Sequence, residues 1–148
     1  MFTFDVLFIL SAVAFNLLIA VIFIAQKLGN EKLVRTLGIL WLGLIIPLVL
    51  VFVDYWQAGS ETRILVSFGL VFFYMLVEFL LDYVLKFDFR SKPSTHVPYI
   101  ILEYVALFSL IVIAFDNDRI WGIIVTICFW ILMGSLGYLY WDKIFKKK

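Results

Sequence analysis

Glu78 and Asp82 stand four residues apart in "YMLVEFLLDYV", a stretch otherwise apolar enough to lie in lipid. At that spacing the two carboxylates fall on one face of a helix, one turn apart. Tyr74 lies a further four residues back and Ser67 seven before that, so the polar groups form a stripe down one side. A third acid, Glu103, sits in the next apolar run. Ionised acids in hydrocarbon cost about 2.5–3.5 kcal/mol each at the bilayer centre and less near its edge. Such a layer therefore calls for protonation, a basic partner or a bound cation. Arg35 is the candidate counter-charge, because its guanidinium can pair two-pronged with a carboxylate. Lys86, four residues beyond Asp82, is a second candidate. Either Arg35–Glu78 or Arg35–Glu103 would make a structural ion pair. The chemistry this pattern supports is binding of a proton, a cation or a cationic solute.

A metal centre is the less supported use of the same acids. The chain has one His, His96, in a loop ahead of Val-Pro, and no E-x-x-H pair. Carboxylate metal centres on helices want that second imidazole, so no metal and no cofactor is expected. A weak Mg or Ca site of oxygens has no spacing to recommend it. Cys128 is the lone cysteine, mid-run, and reads as a small buried apolar residue. There is no phosphate-binding glycine loop, no G-x-S-x-G and no H-E-x-x-H. Nucleic acid is not an expected partner, since the basic residues track loops and not a groove-reading element.

The elements that must position these groups are membrane spans. Of 148 residues 65% are hydrophobic and the mean hydropathy is +1.09, more apolar surface than a water-soluble fold hides. Five runs reach the length needed to cross a bilayer, about 20 residues. They cover residues 4–25, 33–53, 64–86, 99–115 and 120–141. The fourth is expected to open after Pro98. The third is expected to stay helical to Lys86. "FDNDRIW" separates the last two runs, because three charges and an Asn suit a turn better than lipid. The expected fold is all-α, a single transmembrane domain over residues 1–148 built as a bundle of five helices. No cleavable leader is evident, and the first run is expected to remain as a span.

Charge placement sets the expected orientation. Lys27, Lys32 and Arg35 follow the first run; Lys86, Arg90 and Lys92 follow the third; Lys143, Lys146, Lys147 and Lys148 end the chain. These ten basic residues fall on one side, against Arg63 and Arg119 on the other. The positive-inside rule then puts the N-terminus outside and the C-terminus in the cytoplasm, in the plasma membrane. The basic tail also suits anionic headgroups.

The third and fourth spans join on the cytoplasmic side and should be neighbours, with Glu78 and Glu103 each about one turn inside the boundary. Phe72, Phe73, Leu76, Leu80 and Leu81 are left to face lipid, while Glu103, Ala106, Leu107, Leu110 and Ala114 share one face. Asn16, near the middle of the first span, must find a partner for its amide and so faces the bundle or a solute. Pro47 is expected to kink the second span. Trp41, Trp56, Trp121 and Trp141 read as interfacial, and Trp130 as mid-span.

The expected function is a small transporter-like or ligand-binding membrane protein, using Glu78, Asp82, Glu103, Arg35, Tyr74 and Asn16. Its expected partners are the lipid bilayer and a second copy or another membrane protein. One alternative is an accessory or assembly subunit of a larger membrane complex. Another is an enzyme acting on lipid headgroups, with the acids holding a divalent metal and Asp88, Arg90, Lys92 and His96 holding phosphate.

Overall fold

The computed structural model describes residues 2–89 and 91–145, with the backbone alone for Phe2, Lys143 and Ile144. Arg90, Lys146, Lys147 and Lys148, counted above among the basic residues, lie outside the described residues, as does the side chain of Lys143. The described chain is all-helical: α1 Phe2–Lys27, α2 Glu31–Gly43, α3 Ile45–Gln57, α4 Thr62–Phe79, a π-helical turn Leu80–Val84, α5 Pro93–Asn117 and α6 Arg119–Phe145. With α2 and α3 taken as one span and α4 running into the π turn, five helices are long and apolar enough to cross a membrane.

Local chemistry explains each boundary. Gly29 adopts φ +72°, which lets Asn30 N–H reach back to the Ala25 carbonyl and Gly29 N–H to Gln26. This left-handed cap closes α1. Asn30 then starts α2, its Oδ1 accepting from Leu33 N–H at 3.1 Å. Gly59, at φ +73°, closes α3 in the same way, with Ser60 N–H bonding to Tyr55. Asp118 alone separates α5 from α6, and its Oδ1 caps Ile120 N–H at 2.7 Å. The "DNDR" turn is thus a single capping residue. Pro47 has no N–H for the Gly43 carbonyl and crowds it, and the second span is interrupted at Leu44.

Two expected boundaries are corrected. α5 begins at Pro93, with Pro98 inside it. Pro93 at the first helical position forfeits no hydrogen bond. Pro98 leaves only the Ser94 carbonyl unserved, at an exposed helix end where water can reach it. The third span does not continue as a helix to Lys86. It widens into π geometry, Leu85 N–H bonding to Leu80, and Lys86 takes φ +47°. Widening moves Lys86 off the face where it would meet Asp82, and no ion pair joins them among the described residues.

The core is aromatic. Phe8 and Phe52 set their edges against Phe68, with ring centroids 5.8 Å apart in both pairs, and Phe72 meets Phe52 at 5.6 Å. Phe72 and Leu81, expected at the lipid, are half-buried against this core, whereas Phe73, Leu76 and Leu80 face outward. On α5, Ala106, Leu107, Leu110 and Ala114 are buried along the face that carries Glu103. Cys128 is buried, and Trp130 faces outward at 66% exposure.

Candidate functional site

A cavity of about 770 Å³ opens within the bundle. It is lined by the C-terminal parts of α1 and α6, one face along α2, the N-terminal part of α5, the end of α4 and the π turn. All of these belong to the end of the bundle that carries Lys27, Lys32 and Lys86. Glu78, Asp82, Glu103, Arg35 and Tyr74 all line it. Asn16 does not. It is buried on α1, its Nδ2 donating to the Ala12 carbonyl at 2.9 Å and its Oδ1 without a hydrogen-bond partner among the described residues.

Because α5 starts earlier than expected, Glu103 lies ten residues beyond Pro93, roughly 15 Å along the helix axis. It is 8% exposed. Glu78 and Asp82 are half-buried and Arg35 is exposed at the mouth. Arg35 forms no ion pair with Glu78, Asp82 or Glu103 among the described residues.

A hydrogen-bonded chain runs along one wall. Tyr99 donates its hydroxyl hydrogen to Glu78 Oε2. Tyr74 Oη lies 3.2 Å from Tyr99 Oη. Since the Tyr99 hydrogen is committed to Glu78, Tyr74 is the donor in that contact. Their rings continue a ladder, with centroids 4.9 Å apart for Phe15–Trp41, 5.6 Å for Trp41–Tyr74, 5.9 Å for Tyr74–Tyr99 and 4.6 Å for Tyr99–Phe89. Phe89, from the connection after the π turn, is buried, so that segment folds back onto the bundle.

Three lining residues lie elsewhere than expected. Trp41 is 3% exposed and lines the cavity, where an interfacial position was expected. Its Nε1 has no hydrogen-bond partner among the described residues. A buried donor left unpaired costs about 1–3 kcal/mol. Tyr99 was placed at a span end but lies inside α5. His96, expected in a solvated loop, sits in the first turns of α5, half-buried and lining the cavity. Gly38 offered one signal: a Cβ there would come within 2.5 Å of the Tyr83 hydroxyl, so the glycine lets the π turn lean on α2.

Four acids line the cavity (Glu31, Glu78, Asp82 and Glu103) against the bases Arg35 and Lys86 among the described residues. No group of three or more His, Cys, Asp and Glu side chains that could hold a metal ion occurs among those residues.

Two ties brace the bundle around this site. At the cavity end, Lys27 on α1 reaches α6, with Asp142 at 3.3 Å, the Tyr138 carbonyl at 2.7 Å and the Tyr138 ring centroid at 4.6 Å. At the far end, Arg63 pairs with Asp116 at 2.8 Å and Tyr55 joins α1, α3 and α5. The chain matches no protein-family model, no curated protein and no solved structure.

Proposed function

We propose that the protein is a small transporter-like or ligand-binding membrane protein that holds a proton, a cation or a cationic solute in this cavity. In this reading the N-terminus is outside, the C-terminus is in the cytoplasm of a plasma membrane, and the cavity faces the cytoplasm. The observation that carries the reading is the convergence of Glu78, Asp82 and Glu103, from two helices and a π turn, on one cavity of small-molecule size. Acids held inside a membrane bundle favour the charge opposite to their own. The π turn adds support, because such bulges concentrate at functional sites.

Thermal unfolding in detergent tests the proposal, with wild type, Glu78→Gln and Glu103→Gln compared across pH and a panel of mono- and divalent cations. Wild type is expected to gain stability as a cation or low pH neutralises the acids. The amide variants are expected to be stable already and to respond weakly. Loss of stability in both variants at every pH, with no response of wild type to any ion, would reduce the acids to a structural layer.

A second reading is an accessory or assembly subunit. Its support is the second span, where only 17% of the most apolar window is buried within the chain, against 33–44% for the other four. A partner that copurifies in mild detergent and covers this span would favour it.

A further inference from the structure

We infer that the cavity opens sideways into the bilayer, between α2 and the end of α4, and that a lipid acyl chain enters there. The inference concerns the route into the cavity and its apolar occupant, and it does not rest on the charge that the site holds.

The two halves of the second span pack differently. α3 packs on both α1 and α4, whereas α2, before the interruption at Leu44, packs chiefly on α1. Helices that meet in lipid hold together by close van der Waals packing. Between α2 and the end of α4 the described residues show side-chain bridges instead. Trp41 meets Tyr74 edge-on, with ring centroids 5.6 Å apart. About one turn nearer the mouth, the Tyr83 hydroxyl rests on Gly38, so close that a Cβ there would come within 2.5 Å of it. This seam is held by two aromatic side chains, not by packed backbones.

At Tyr83 the wall is one side chain thick among the described residues. Tyr83 and Gly38 both line the cavity. Tyr83 also stacks on Phe79, whose ring faces outward. Ile39 and Leu40, beside Gly38, are exposed, as is Val84 beside Tyr83. Apolar residues exposed on a spanning helix meet acyl chains. Cavity and lipid are therefore parted here by one tyrosine ring, which a change of rotamer swings aside.

The cavity suits a chain that carries a polar end. Its volume of about 770 Å³ lies within the roughly 300–1,000 Å³ of sites that enclose small molecules. Ile22, Ile100 and Leu136 line it from α1, α5 and α6. Glu31 and Arg35 line it at the start of α2, and Lys86 just past the π turn, where the spans end. A chain lying on the first group leaves its headgroup at the second. Such a chain reaches the seam from within the bilayer and keeps its methylenes out of water throughout.

The test is photolabelling of the full chain in phosphatidylcholine vesicles. A fraction of the lipid carries a diazirine at the end of one acyl chain, and the labelled residues are mapped by mass spectrometry. Phe73 and Ile127 face outward and serve as the reference, taking label in any case. Ile22 and Ile100, half-buried and lining the cavity, are expected to take label too. Tyr83→Ala is expected to raise their labelling about three- to tenfold against the reference, as loss of one bridging side chain allows. Label confined to outward-facing residues of wild type overturns the inference, whether or not any variant folds, and leaves the cation-site reading in place. Labelling of Ile22 and Ile100 that does not change in Tyr83→Ala also overturns it, because the chain then enters elsewhere.

Discussion

Tyr55 shows how much a single hydroxyl can organise. Its Oη lies 2.8 Å from Asp5 Oδ1 and 2.8 Å from Asn117 Oδ1. One hydrogen cannot serve two acceptors, and Asn117 Nδ2 is buried without a partner among the described residues. Turning the amide over resolves both facts: Asn117 donates to Tyr55, and Tyr55 donates to Asp5. Tyr55→Phe therefore removes two hydrogen bonds and strands a buried amide. It is expected to lower stability by about 1–3 kcal/mol, read as a lower unfolding temperature in detergent, with Asp5→Asn milder because an amide oxygen still accepts. None of this was visible in the sequence, where Asp5, Tyr55 and Asn117 are far apart and unremarkable. Glu78, Asp82 and Glu103 were visible because a charge inside an apolar run carries its own energetic signal. Trp41 carried none. An aromatic in a span is ordinary, and only its depth and its unserved N–H set it apart.

Helix ends, more than helices, decided what could be read in advance. The five apolar runs were legible because each must satisfy its own backbone in lipid. The ends were less so. Pro98 reads as a start because proline opens helices, yet Pro93 satisfies the same rule about one turn and a half earlier. That displacement sets Glu103 and Tyr99 further along α5 and puts His96 in its first turns, where it lines the cavity. The π turn left no periodic signature, since Tyr74, Glu78 and Asp82 keep i,i+4 spacing in sequence although Asp82 already lies within it. Its exit holds Lys86 at φ +47°, a conformation that costs an L-residue roughly 1–2 kcal/mol. Lys86→Gly is expected to hold or raise stability by up to about 1 kcal/mol, and Lys86→Val to lower it, because a β-branched side chain tolerates that backbone poorly. Thermal unfolding of the two variants checks both directions. An opposite order would mean that the lysine side chain, not its backbone, decides stability there.

At the level of the complete bundle, the charge asymmetry and the position of the cavity agree. The cavity opens at the end rich in Lys and Arg, and the opposite end carries Arg63, Asp116 and the Tyr55 tie. Topology can be checked by labelling with a membrane-impermeant maleimide. Cys128 is buried at mid-span and is removed first by Cys128→Ala. Arg119→Cys is then expected to react in intact cells, and Lys32→Cys only after the membrane is opened. The reverse pattern would invert the protein and the compartment its cavity serves. Whichever compartment that is, no residue of the Phe8–Phe52–Phe68 ring cluster lines the cavity. On α1 the cavity lining stops at Ile19, and Phe15 and Phe8 lie buried beyond it toward the far end. A solute held at the acids therefore has packed rings ahead of it on that helix, and onward passage along it would need those rings to move.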